Sequence, residues 1–316
     1  EPGRGLGRSV MSLSFLPTSS TAVAKWSGIA ECGGKLYCSP LNASSVLVVD
    51  SASGAISTIK SSVYGAFKWS GIAAHEGRLY CAPSGTPSIL VVDGLTASLS
   101  GIPTGQEEGA LLWSSVAVCG GRLFCAPDKA SAVLVADPAT GTLQRIETGL
   151  EDGFKFSGVV AHGGKLYFVP FDAPAVLVLD AASGAMSHLP VTAHGRGKWS
   201  GGTVLGGKIY CSPLNAPSVL VIDPERGATS SIEVAVEGGF KWSGIAALDG
   251  KLYCSPLAAS AVLVVDPVAG TTATIETSRP GARKWSGIAA CGGRLYCAPH
   301  DDPAVLVVDP QPRAML

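Results

Sequence analysis

Charge is scarce in this chain. Asp, Glu, Lys and Arg make up 15% of its 316 residues, and the formal net charge is −1. Nucleic acid and anionic membrane surfaces are therefore not drawn to it by its overall field. Long apolar runs are also missing, which excludes a transmembrane helix and membrane insertion. Histidine is limited to His75, His162, His188, His194 and His300. Their positions gather into neither a metal site nor a base beside a nucleophile, so no metal, no cofactor and no catalytic residue is expected. The nine cysteines include no Cys-x-x-Cys pair and their number is odd, which reads as reduced thiols in an intracellular or organelle-stromal compartment. The sequon Asn42-Ala43-Ser44 points weakly the other way. The chain begins at Glu1 rather than Met, which leaves room for a removed targeting segment.

What the chain does have is repetition. An aromatic followed by Ser recurs at Trp26, Trp69, Trp113, Phe156, Trp199, Trp242 and Trp285, with steps of 43 residues and once 44. In the first unit Trp26 to Ala30 is a short run with small residues where inner strands crowd an axis. Gly33-Gly34 supplies a hairpin turn, Lys35 to Ser39 a second strand, and Pro40 its end. Val46 to Val49 is apolar on both faces, as a strand packed between neighbours must be, and Ile56 to Lys60 makes an outer strand. Seven such units without helical periodicity predict an all-β, seven-bladed β-propeller with four antiparallel strands per blade over residues 12–309. Residues 1–11 form an extension and 310–316 a tail. The seventh unit lacks a fourth strand, while Leu13 to Leu16 has no blade of its own. The N-terminal strand is therefore expected to close the last blade.

The unit Gly250-Lys251-Leu252-Tyr253, followed by Val262 to Asp266 and Ile275, resembles YVTN-type propeller repeats. The longer pattern in residues 198–223, opening Lys198-Trp199-Ser200-Gly201, is similar to tandem repeats of uncharacterised algal and protist proteins. The resemblance implies the propeller fold and no particular reaction.

Several repeated positions have a structural explanation ready. The seven aspartates Asp50, Asp93, Asp137, Asp180, Asp223, Asp266 and Asp309 close the third strands and suit turn capping better than calcium. Cys38, Cys81, Cys125, Cys211, Cys254 and Cys297 share one second-strand position that holds Phe168 in the fourth unit, so it is an apolar packing site.

Two candidate binding surfaces remain. Lys25-Trp26, Lys68-Trp69, Lys198-Trp199, Lys241-Trp242 and Lys284-Trp285 could ring one channel mouth and hold a small anion or carbohydrate. Alternatively each Lys lays its stem along a Trp, copied by duplication. The second surface is the face carrying the loops before the inner strands and after the conserved prolines. An acidic sector (Glu107, Glu108, Glu151, Asp152) is expected there opposite a basic one (Arg196, Arg279, Arg283), with Phe171 as an apolar anchor. A polarised rim on a regular core favours a non-catalytic scaffold that binds a partner protein.

Overall fold

The computed structural model describes residues 11–150 and 153–311. Among these it contains seven four-stranded antiparallel sheets and no helix. The first blade is built from Trp26–Cys32, Lys35–Pro40, Ser45–Asp50 and Ile56–Lys60, hydrogen-bonded in that order from the axis outward. The last contains Trp285–Cys291, Arg294–Pro299 and Ala304–Asp309, and its outer strand is the N-terminal Ser12–Pro17. Ser12 pairs with Asp309 and Pro17 with Ala304, so the ring closes as the sequence predicts. Phe15 stacks on Trp285 at 6.0 Å, and the Arg279 guanidinium lies 4.3 Å from the Phe15 ring.

The core lies in the seams between blades. Trp26 and the second- and third-strand residues Leu36, Leu47 and Val49 pack against Tyr296, Val305 and Val307 of blade seven. Withdrawing an aromatic of this size from water contributes on the order of 5 kcal/mol. Each tryptophan also satisfies its one polar atom: the Trp26 indole N–H donates to the Ser45 carbonyl at 2.8 Å, and the other five repeat the bond in their own blades. Phe156 does without a donor in blade four and is fully buried.

Turn chemistry follows the residue types. Gly33 and Gly34 have φ of 60° and 78°, the left-handed pair that a tight hairpin needs. Asp50 Oδ1 accepts from the Ala52 and Ser53 amides, and Asp93, Asp137, Asp180 and Asp266 cap their own turns in the same way. The nine cysteines are all free thiols.

Candidate functional site

Each inner strand carries a β-bulge just after its aromatic residue; in the first blade Trp26 pairs with Pro40 and Ile29 with Cys38, two residues facing one between them. The bulge turns the serine toward the axis. The seven motif serines, among them Ser27, Ser114, Ser200 and Ser286, line the axial channel together with Ser115, with Ile29 and its equivalents beyond them. Neighbouring blades are linked through this crown. Ser27 Oγ lies 3.3 Å from Ser70 Oγ, and Ser157 Oγ donates to the Trp199 carbonyl at 2.7 Å. The glycines next in sequence let the strands converge. A Cβ on Gly71 would lie 2.7 Å from Ser115 Cα, and one on Gly28 would lie 2.9 Å from the Ser70 carbonyl.

The lysines do not form a charged ring around this channel. Lys25, Lys68, Lys198, Lys241 and Lys284 are at most 3% exposed. Lys68 Nζ donates to the carbonyls of Leu41 and Gly65, Lys241 Nζ to Ala216 and Gly238, and Lys284 Nζ to Leu257 and Gly281. Lys25 Nζ reaches the Ala22 carbonyl, and Lys198 Nζ those of Phe171 and Gly195. Burial lowers the pKa of all five ammonium groups. The cause is geometric: the loop ahead of each motif curls back and offers carbonyls within reach of the ammonium, which buries itself there. Trp26, Trp69, Trp199, Trp242 and Trp285 are likewise sealed in the seams, so the expected ring offers an incoming ligand neither free charge nor an aromatic face. Only the Lys25 ammonium sits near its own indole, at 5.9 Å.

The backbone of the same residues makes a second hoop. In every blade the amide of this position donates to the carbonyl of the residue after the conserved proline in the preceding blade: Lys68 to Leu41, Leu112 to Ser84, Lys155 to Asp128, and around to Lys25 and His300. The blade-three Leu112 therefore keeps the seam although it lacks the ammonium.

What surrounds the channel mouth on this face is a different set of residues. The residue just before the motif is Ala24, Phe67, Leu111, Phe154, Gly197, Phe240 or Arg283. Six of these hold left-handed backbone, with φ of 52° at Phe67, 54° at Phe240 and 56° at Arg283. For bulky residues that conformation is strained by about 1 kcal/mol or more. Side chains of the preceding blade brace it: Asn42 Oδ1 accepts from the Phe67 amide at 2.8 Å, and Asn215 Oδ1 from the Phe240 amide at 2.7 Å. Phe67, Phe154 and Phe240 are nonetheless 49%, 41% and 50% exposed. Phe171 meets Phe154 edge-on at 6.4 Å and borders the channel together with Asp128. Burial pushes the Asp128 carboxyl up to about 7, against the opposing pull of Lys129 and Lys155.

The rim residues expected from sequence are distributed unevenly. Glu107, Glu108, Arg196 and Arg283 are exposed, while Glu151 and Asp152 lie outside the described residues. Arg279 is half-buried against the closing strand and is spent on Phe15. Sequence reasoning passed over Phe67, Phe154, Phe240, Asp128 and His300 as site residues. The signal available was the variability of the two positions flanking the motif and the proline, in units otherwise nearly identical.

The fold is widely shared. The chain superposes on virginiamycin B lyase from Staphylococcus aureus, in a catalytically inactive histidine-to-alanine variant with quinupristin, with a TM-score of 0.83 at 12% identity, covering 95% of this chain and 99% of that one. A streptogramin B lyase gives 0.80 at 12% identity over 94% and 97% of the two chains. Hydrazine synthase of Kuenenia stuttgartiensis gives 0.69 at 16% over 97% and 99%. No family model matches, and no curated protein sequence does. These likenesses establish the propeller alone, and the likeness to YVTN-type repeats rests on the repeat pattern.

Proposed function

We propose that this propeller binds a partner protein on its loop face, around the channel mouth, and works by docking rather than turnover. The carrying observation is the set of exposed phenylalanines at the lead-in position, two of them in left-handed backbone. The fold does not ask for phenylalanine there, because Ala24 and Gly197 fill the same position in other blades. Exposed aromatics beside opposed charges are the composition of a protein interface, with Glu107 and Glu108 on one side and Arg196 and Arg283 on the other. The nine free thiols favour a reducing compartment for that partnership.

The test is capture from the native source by wild type, by the Phe67→Ala/Phe240→Ala double variant, and by a charge reversal of Glu107, Glu108, Glu151 and Asp152, read by mass spectrometry. A partner held by wild type and lost by the variants supports docking. Retention by both variants overturns it.

A second reading, binding of a small carbohydrate or anion, draws on the axial cavity of about 350 Å3 with its serine crown and the Phe154 and Phe171 rings at its mouth. Ligand-induced thermal stabilisation that survives the phenylalanine changes at positions 67 and 240 would favour that reading over docking.

A further inference from the structure

Blade seven breaks the array at both variable positions, and the two breaks meet. Arg283 stands where the other blades carry Ala, Phe, Leu or Gly. His300 stands after the conserved proline, where blades one, five and six carry Leu41, Leu214 and Leu257. Both line one pocket of about 210 Å3 beside the channel mouth, together with Leu214, Phe240, Leu257, Ser243 and Ser286. A space of that size suits a single residue rather than a folded element.

The hydrogen-bonding character of the pocket can be read from its contacts. His300 Nδ1 lies 2.8 Å from Asp301 Oδ1. An ionised carboxylate only accepts, so Nδ1 carries the proton. Asp301 is itself fixed, accepting the Ala24 amide at 2.6 Å through the same oxygen. Burial lowers the His300 pKa against the pull of Asp301, and Arg283 and Lys25 lower it further. The ring is then neutral near pH 7, and its Nε2 is an acceptor. Arg283, exposed, brings only donors. The lysines nearby are committed: Lys25 to Ala22, and Lys284 to Leu257 and Gly281.

A planar anion acceptor, an N–H donor and an apolar side chain on one small group describe the last residue of a peptide chain. We propose that this pocket takes the carboxy-terminal residue of a docking protein, its carboxylate on Arg283, its amide N–H on His300 Nε2, and its apolar side chain against Leu214, Phe240 and Leu257. The proposal rests on the docking reading above and gives it a chemical address.

Calorimetric titration of the full chain with acetyl-Gly-Gly-Leu and with its C-terminal amide tests this directly. Two variants borrow the residues that blade one already uses at these positions, Arg283→Ala (as Ala24) and His300→Leu (as Leu41), so folding is not at risk. The free acid should bind wild type at least tenfold more tightly than the amide. Arg283→Ala should abolish that preference, and His300→Leu should weaken the acid several-fold. Equal binding of acid and amide, no binding of either at millimolar concentration, or a preference that survives Arg283→Ala overturns the proposal. Capture of a partner by wild type, lost in the Phe67→Ala/Phe240→Ala variant but retained by Arg283→Ala, would leave loop-face docking standing while the terminal-residue pocket fell.

Discussion

The second-strand thiols should make this propeller sensitive to alkali. Burial pushes Cys254 and Cys297 from 9.0 to about 12, and Cys38, Cys81, Cys125 and Cys211 are raised further still for the same reason. A folded-state pKa above the unfolded one means stability fully present below pH 9 and lost as pH rises from there toward the folded value. At about pH 10 an unfolded thiol is nine-tenths ionised while the buried one keeps its proton, a loss of about 1.4 kcal/mol per thiol. Six together reach about 8 kcal/mol, comparable with the whole stability of a typical domain. The buried lysines act with the opposite sign, because lowered pKa values add stability as pH climbs toward 10.5. Substitution isolates the thiols. Urea unfolding of wild type, Cys254→Ala and Cys254→Ala/Cys297→Ala, followed by tryptophan fluorescence in a phosphine reductant, would be compared near pH 7 and near pH 10. Removing a buried sulfur should destabilise at neutral pH through the cavity it leaves. That penalty should shrink at the higher pH by about 1.4 kcal/mol for the single variant and about 2.8 for the double. A penalty equal at the two pH values would refute the reasoning.

Further expectations concern the ring and its rim. Removing residues 1–18 strips the last blade of its outer strand and exposes an unpaired edge, so the melting temperature should fall sharply; an unchanged value would sink closure by the N-terminal strand. Gly71→Ala should cost about 2 kcal/mol in urea unfolding, because its Cβ would press on the Ser115 backbone at 2.7 Å, whereas Ser115→Gly should be tolerated. Phe67→Gly and Phe240→Gly relieve left-handed strain and should leave stability equal or raise it by up to about 1 kcal/mol while weakening partner capture.

The fold was legible because duplication writes the same blade seven times. The expected outer strand Ile56 to Lys60 matches the observed one, and the other strands of the first blade extend the expected ones by a residue or two. Closure was legible from Leu13 to Leu16 standing alone. The site was not, for a physical reason specific to Lys68 and its equivalents. A lysine beside a tryptophan at the start of an inner strand reads as a channel-mouth cation, and only the loop's path reveals the carbonyls of Gly65 and Leu41 waiting for it. Arg279 misleads similarly, since its distance from Phe15 in sequence hides their contact. His300 and Arg283 were visible as irregularities, but their sharing one pocket required the ring to close.

The array also separates what stability holds fixed from what function can vary. At the motif position the backbone hoop needs only an amide, and it accepts Leu112 in place of lysine. One step earlier the chain is left-handed in six of the seven blades, which would select glycine there if folding alone decided. Glycine stands there once, at Gly197, and bulky residues stand there in five blades. The positions after the prolines behave alike: the hoop uses their carbonyls, and side chains as different as Ser84, Phe171 and His300 are accepted there. Two rings of side chains are therefore free to change around one mouth without disturbing a single inter-blade hydrogen bond. Strain is retained at Phe67, Phe240 and Arg283, where Gly197 shows that relief is available, and the docking proposed above would account for it.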